Sequence, residues 1–420
     1  MTSDTTPEQQ PAAPRLAFLR SATVVAVGMA IMNVAAYGFT LIAVHALIPE
    51  QFGAVTALLG LLLIGNVASL GLQASGARRI ATHTGPGEAS LADALLKAGR
   101  RAALGLTIVC LVATPLFMWL LHIDSPLAAL LVAPTLGCLT LMGSQLGVLQ
   151  GGQNWTELAL VYTSTGIGRL AFGGIALLIH PSLTAAMLGL ALGAAVPALL
   201  GGYLLRGSSG ATPEQVKEAL RETIHGTHTL LAFFAIANAD VLLARGLLDA
   251  KHSGIYAAGV IVAKACLFLP QFVIVVVFPS LATAPGDTQR LRRAIQAVAA
   301  LGVCTVLGAL ILPDLVVTIV GGQDYAAVGP IAWLFALAGS SYAVLQLVAY
   351  AAIAQQEKRA ALLIWIGLAS LAVAALIIIG ANLAVGMTGV KVLVAMTSTC
   401  ALLLSAALAS GLHRQAVPAQ

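Results

Sequence analysis

The sequence predicts an all-α integral membrane protein with twelve transmembrane helices in two six-helix bundles, related by a pseudo-two-fold axis along the membrane normal. Three observations carry that prediction. Apolar residues make up 59% of the 420 and charged residues 9%, against about 25% charged in an ordinary soluble domain. Apolar runs of about 20 residues, long enough to cross a bilayer, recur along the whole chain. A shift of 201 positions lays "LIAVHALIPEQFGAVTA" (Leu41 to Ala57) on "LLARGLLDAKHSGIYAA" (Leu242 to Ala258), so that Leu47 meets Leu248 and Gly53 meets Gly254.

Taken in order, the Pro-, Gln- and Thr-rich residues 1–14 read as a disordered cytoplasmic tail. Six spans follow at about 22–47, 53–73, 103–121, 127–149, 157–179 and 183–205, forming an N-terminal bundle over 15–205. The first run is too long for a signal-peptide core. After the second span, "EASLADALLKAGRRA" has the pattern of a short amphipathic helix on the inner surface. The polar stretch "RGSSGATPEQVKEALRE" (206–222) is a cytoplasmic linker. A second set of spans at about 225–248, 254–282, 294–320, 330–354, 360–381 and 387–411 forms a C-terminal bundle over 223–414, leaving a tail at 415–420. Pro115, Pro134, Pro197, Pro270 and Pro279 fall within spans and are expected to bend or break them. With six spans per half, the two copies point the same way, as in transporters built from parallel repeats.

Charge sets the orientation. With a cytoplasmic N-terminus, sixteen of the 21 Lys and Arg fall in cytoplasmic segments, only Arg245 and Lys251 fall outside, and Arg169, Lys264 and Lys391 fall within spans. The positive-inside rule then places both termini on the cytoplasmic side of the cell membrane. The net charge of +5 is therefore topological and implies no nucleic-acid partner. The five cysteines lie scattered in apolar runs without metal-ligand spacing. No P-loop is present, and no cofactor is expected. Outer loops of a handful of residues leave no room for an active site, so the chain is read as a non-enzyme rather than a membrane glycosyltransferase or polymerase.

Polar groups inside the spans carry the functional reading. A charge at mid-bilayer costs about 2.5–3.5 kcal/mol on insertion scales unless it faces a cavity or a partner. Arg169 sits near the middle of span five, Lys264 near the middle of span eight and Asp240 well inside span seven. Lys391 can snorkel to the interface. Arg245, Asp249 and Lys251 read as charges marking a helix end at the outer mouth, with no functional demand on them. Helical spacing gathers Asn33, Tyr37 and Thr40; Asn66, Ser69 and Gln73; Tyr162, Thr165 and Arg169; Lys264 and Gln271; and Tyr342, Gln346 and Tyr350. Hydrogen bonding between helices accounts for any one such residue. Five polar faces with two buried cations point instead to a hydrated central cavity. The candidate substrate contacts are Arg169, Lys264, Asp240, Asn33, Asn66, Gln271, Gln346 and Tyr37. Two cations favour an anionic, phosphate-bearing solute. Asp240 either offsets their charge in the empty site or forms a fixed ion pair with Arg169 or Lys264.

Several stretches resemble a known family. "LIPEQFGAVTALLGLLL" with "SLGLQASGARRIA" resembles the first hairpin of polysaccharide-biosynthesis flippases, with its Pro-Glu-x-Phe-Gly turn and a following Gly-Leu and Arg. "NADVLLARGLLDAKHSGIYAAGVIVAKACLFLPQFVIVVVFPSLA" is similar to that family's spans seven and eight, and "GVLQGGQNWTELALVYTSTGIGRLAFGG" to its fourth-to-fifth span region. The likeness runs from about Arg15 to Arg414. The turn "LDAKHSGIY" lacks a second Pro-Glu, and aromatics at 5% leave few sugar-stacking surfaces. The resemblance implies the O-antigen flippase branch of the multidrug/oligosaccharidyl-lipid/polysaccharide exporter superfamily. It implies alternating-access movement of a polyprenyl-pyrophosphate-linked oligosaccharide between leaflets, with Arg169 and Lys264 as basic cavity residues. Membrane lipid, polysaccharide polymerase and glycosyltransferases would be its surroundings. Two other readings stand beside it: an ion-coupled drug or metabolite antiporter of the same superfamily, and a non-transporting scaffold of a glycan-assembly complex.

Overall fold

A computed structural model of the chain describes residues 12–83, 87–268, 288–354, 360–382 and 385–416. It is built from helices α1 (Ala12–Ala46), α2 (Pro49–Gly65), α3 (Val67–Thr82), α4 (Glu88–Leu121), α5 (Pro126–Leu130), α6 (Val132–Gly151), α7 (Trp155–Ile179) and α8 (Leu183–Leu204) in the first half. The second half holds α9 (Pro213–Leu247), α10 (Ala250–Phe268), α11 (Thr288–Ile311), α12 (Pro313–Ile319), a 3-10 stretch Gly322–Ile331, α13 (Ala332–Ala354), α14 (Ala360–Gly380) and α15 (Gly386–Ala416). Among the described residues, eleven helices are long and apolar enough to cross a membrane. The remaining expected span, about 254–282, begins within α10; its residues from 269 on, with Pro270, Gln271 and Pro279, lie outside the described ones. The tail expected over 1–14 likewise falls almost wholly outside them; α1 begins at Ala12.

In lipid, helices associate by close packing rather than by expulsion of water, and small residues allow backbones to approach. The first half follows this rule: α7 packs between α1 and α8, and α6 against α3, α4 and α8. A Cβ on Gly168 of α7 would lie 2.7 Å from the Gly193 carbonyl oxygen of α8, so glycine is required at that crossing. In the second half α13 packs on α10, α11 and α15.

Two helices outrun the bilayer. The stretch expected as a separate surface helix is instead the first part of α4, whose 34 residues form one rod. The linker is helical from Pro213 and continuous with span seven as the 35-residue α9, opened by a Thr212–Gln215 capping box. At 1.5 Å per residue each rod is about 50 Å long, roughly 20 Å more than the hydrocarbon core. The extensions bury an apolar face against each other, with Leu91, Leu95 and Ala98 meeting Val216 and Ala219. Asp93, 3% exposed, accepts hydrogen bonds from Lys97 and from the Ala211 N–H at 2.7 and 3.0 Å. Arg78 pairs with Glu222, and Arg79 with Glu218 at 3.3 Å. We call this the Arg78 end of the molecule.

Other spans depart from straight rods. Span two bends at Asn66, which ends α2 and starts α3. Span nine ends at Ile311, not near 320, and α12 with the 3-10 stretch turns across the opposite, Pro49 end. There the two halves close on each other. Repeat-equivalent Gly53 and Gly254 touch: a Cβ on Gly53 would lie 2.9 Å from the Gly254 amide nitrogen, and one on Gly254 would strike the Pro49 carbonyl. Two residues matched by the 201-residue shift meeting face to face is what a two-fold axis through that point produces.

Asp249 belongs to this end and does mark a helix start. Its carboxylate accepts from the His252 N–H (3.1 Å) and side chain (2.6 Å), and its carbonyl from Ser253 N–H (2.9 Å), so it caps α10. Burial alone would raise its carboxyl pKa, but the His252 bonds hold it below the usual value. Asp249→Ala should cost about 1 kcal/mol at neutral pH. Because the folded-state pKa is depressed, the stabilisation is present above the unfolded value of about 3.9 and is lost as pH falls through the lower folded one. Thermal unfolding in detergent across that window measures it; equal melting of both proteins at neutral pH would remove the cap.

Candidate functional site

The three ionisable residues deep in the spans come from both halves and converge. Arg169 is on α7, Asp240 on α9 and Lys264 on α10. Lys264 is within electrostatic reach of both Asp240 and Arg169. No carboxylate–cation contact within 4.0 Å joins Asp240 to either cation among the described residues, so the fixed ion pair entertained from sequence is not formed.

Each has a distinct setting. The Arg169 guanidinium carbon lies 5.1 Å from the centroid of the Phe39 ring, which α1 holds fully buried. Cation–π attraction of this kind contributes on the order of 1 kcal/mol. Arg169 Nε has no hydrogen-bond partner. Asp240 is 9% exposed and accepts from the Tyr256 hydroxyl at 3.3 Å through Oδ2, while Oδ1 has no partner. Tyr256 lies two helical turns before Lys264 on α10, on the same face. Arg169 and Lys264 are both half-buried. If all three are ionised, the group carries one net positive charge.

The other expected contacts divide. Tyr37 on α1 is half-buried and within electrostatic reach of Cys266 on α10, so it faces the opposite half. Asn66 sits at the bend of span two with its Oδ1 buried and unpartnered. Asn33 is exposed on α1. Gln346 is buried on α13, as is Tyr342, whose hydroxyl donates to the Ile236 carbonyl at 3.4 Å. Gln271 and the side chain of Tyr350 lie outside the described residues. Several phased polar residues satisfy each other instead. Gln73 donates to Tyr162 (2.7 Å) and Gln150 (2.9 Å), and Thr40 and Thr165 bond back to carbonyls of their own helices. Lys391 is exposed near the start of α15, as snorkelling requires. No three His, Cys, Asp or Glu side chains come together as a metal site among the described residues.

The sequence reading missed Arg245. Far from being a solvated charge at the mouth, it is 6% exposed and makes four hydrogen bonds. Its depth along the helix was readable; the acceptors that meet it come from segments more than a hundred residues away.

The architecture matches solved structures closely in shape and distantly in sequence. An inward-facing multidrug resistance MATE family transporter of the MOP superfamily superposes with a TM-score of 0.72 at 14% identity, covering 93% of this chain and 96% of that one. The lipid II flippase MurJ, in an inward closed conformation, gives 0.72 at 10% identity, covering 95% and 90%. An outward-facing MATE family transporter gives 0.56 at 14% identity, covering 94% and 96%. No curated protein matches the sequence. The class is thereby defined: a multi-pass membrane protein with the fold of MOP superfamily transporters. The polysaccharide biosynthesis protein family model matches residues 18–284, well over half the chain, and the protein belongs to that family.

Proposed function

We propose that this protein is a flippase moving a polyprenyl-pyrophosphate-linked oligosaccharide across the cytoplasmic membrane by alternating access, for surface polysaccharide assembly. The bundles 15–205 and 223–414 rock about the charged group, both termini are cytoplasmic, and the Arg78 end is the inner one. The observation that carries this reading is the meeting of Arg169 from one half with Lys264 and Asp240 from the other, half-buried and not ion-paired. The family assignment supports it, as does the likeness to a lipid II flippase. The pyrophosphate binds Arg169 and Lys264, Tyr37, Asn33, Asn66, Gln271 and Gln346 bond sugar hydroxyls, and the lipid tail stays in the bilayer. Glycosyltransferases and a polymerase act before and after it.

The closed Pro49 end and the better match to inward-facing than to outward-facing transporters support an inward-facing state. A second reading, an ion-coupled antiporter of the same superfamily, draws on the unpartnered Oδ1 of Asp240. The test is reconstitution in liposomes with a fluorescent polyprenyl-pyrophosphate oligosaccharide. Its transfer between leaflets should accelerate at least tenfold over protein-free vesicles. Proton-driven uptake of organic cations with no lipid transfer would overturn the flippase in favour of the antiporter.

A further inference from the structure

The Arg245 side chain joins two segments of the first half, the end of α4 and the start of α2, to Ser253 of the second at the Pro49 end. Nε donates to the Leu121 carbonyl at 2.9 Å and one terminal nitrogen to the His122 carbonyl at 3.0 Å. The other terminal nitrogen donates to the Glu50 carbonyl at 3.3 Å and to Ser253 Oγ at 3.0 Å. Leu121 and His122 are the end of α4, where carbonyls lack partners within the helix and the helix dipole is negative. His122 has φ of 47°, and its left-handed turn swings that carbonyl toward Arg245. Arg245 thus caps a helix of the opposite bundle.

The repeat sharpens the point. Shifting by 201, Arg245 corresponds to Val44, Ser253 to Phe52 and Gly254 to Gly53, while Leu121 and His122 correspond to Gly322 and Gln323. The equivalent place on the other side of the axis is also a plug, but an apolar one. Phe52 meets the Tyr325 ring edge-on at 6.1 Å, Val44 approaches Gly321, and Tyr325 donates to the Leu47 carbonyl at 2.9 Å. The Phe52 side is packed by aromatic rings with the Tyr325 hydrogen bond at its edge, while the Arg245 side is held by four hydrogen bonds from one guanidinium. Separation of the Pro49 ends breaks every Arg245 bond to the first half, and entering water can replace each of them. Tight apolar packing has no such replacement.

We infer that Arg245 is the gating latch of the transport cycle: its bonds to Leu121, His122 and Glu50 hold the Pro49 end shut in this state and are released when that end opens. The inference rests on the alternating-access part of the proposed function and not on the substrate. It is tested on the full chain in lipid nanodiscs, with all five native cysteines replaced by Ala and spin labels at Ile48→Cys and Lys251→Cys, both exposed at the Pro49 end. Electron–electron distance measurements should show one short distance, and Arg245→Ala should raise the population of a longer distance at least tenfold. Arg245→Lys keeps the charge but lacks the planar fork that reaches three carbonyls, and should raise it about threefold, as should Ser253→Ala. Distance distributions of Arg245→Ala matching the parent would overturn the latch. If Arg245→Ala is not monodisperse, unchanged distributions in both Arg245→Lys and Ser253→Ala would overturn it. Because no substrate enters this measurement, its failure leaves the flippase reading intact. Absence of lipid transfer by the parent, with normal opening, would instead count against the flippase reading.

Discussion

Arg169→Ala combined with Lys264→Ala abolishes lipid transfer, reducing the initial rate at least a hundredfold while the protein still inserts and remains monodisperse. Two unit charges about 5 Å apart at an effective dielectric of about 20 attract by roughly 3 kcal/mol. Both cations are half-buried, so screening leaves on the order of half of that for each. About 1.4 kcal/mol is a factor of ten, so each single variant should lose roughly tenfold and the pair a hundredfold. Arg169→Lys separates charge from geometry. It retains the cation but not the flat guanidinium over Phe39, and should recover part of the rate. Lys264→Ala carries a second effect, because it strips the buried Asp240 carboxylate, which accepts from the Tyr256 hydroxyl, of a nearby cation. Adding Asp240→Asn to Lys264→Ala should therefore restore stability but not transfer. Full transfer in the double alanine variant would remove the anion site. The same rates in the presence of excess inorganic pyrophosphate provide an independent check, since a true anion site should be competitively occupied.

Much of this was legible in the chain. Spans are set by composition over about 20 residues, so the window that finds them needs no tertiary information. The repeat was legible because glycine stands at both Gly53 and Gly254, where two backbones touch. Arg169, Lys264 and Asp240 stood out because charge in lipid demands an explanation, and Lys264 lies within electrostatic reach of the other two. What escaped depends on partners far along the chain. The first part of α4 reads as an amphipathic surface helix in isolation, and only the extension of α9 shows what covers its apolar face. Hydropathy carries span nine through Leu312, but Pro313 begins a new helix there and the chain turns over the Pro49 end. Arg245 looked like an ordinary helix-end charge because periodicity reports where a residue lies along its own helix, not which carbonyls another bundle brings to it.

Gly254→Val breaks the closed Pro49 end, and its effect should be the largest of any single substitution outside the charged group. A Cβ there meets the Pro49 carbonyl oxygen and the backbone behind it, not the tip of a flexible side chain. Backbone cannot rotate away as a rotamer does, so α2 and α10 must separate along their shared contact. Overpacking of this kind costs about 1–3 kcal/mol where neighbours adjust, and more where they do not. The cost falls on one conformation only. With the Pro49 ends apart, position 254 faces open space and a valine is tolerated, so the substitution acts on the equilibrium between states as well as on stability. A penalty of about 3 kcal/mol against the closed state shifts that equilibrium more than a hundredfold. Transfer should fall at least tenfold, because a carrier that cannot close on one side cannot complete a cycle. Gly53→Val also meets backbone, the Gly254 amide nitrogen, but at 2.9 Å, a shallower overlap than at Gly254, so its effect should be milder. Labelling an introduced cysteine at Ile255, buried beside the crossing, with a membrane-impermeant maleimide in the cysteine-free background reads the result directly. It should be unreactive in the parent and reactive in Gly254→Val. Equal protection in both would mean that the glycine crossing does not seal this end.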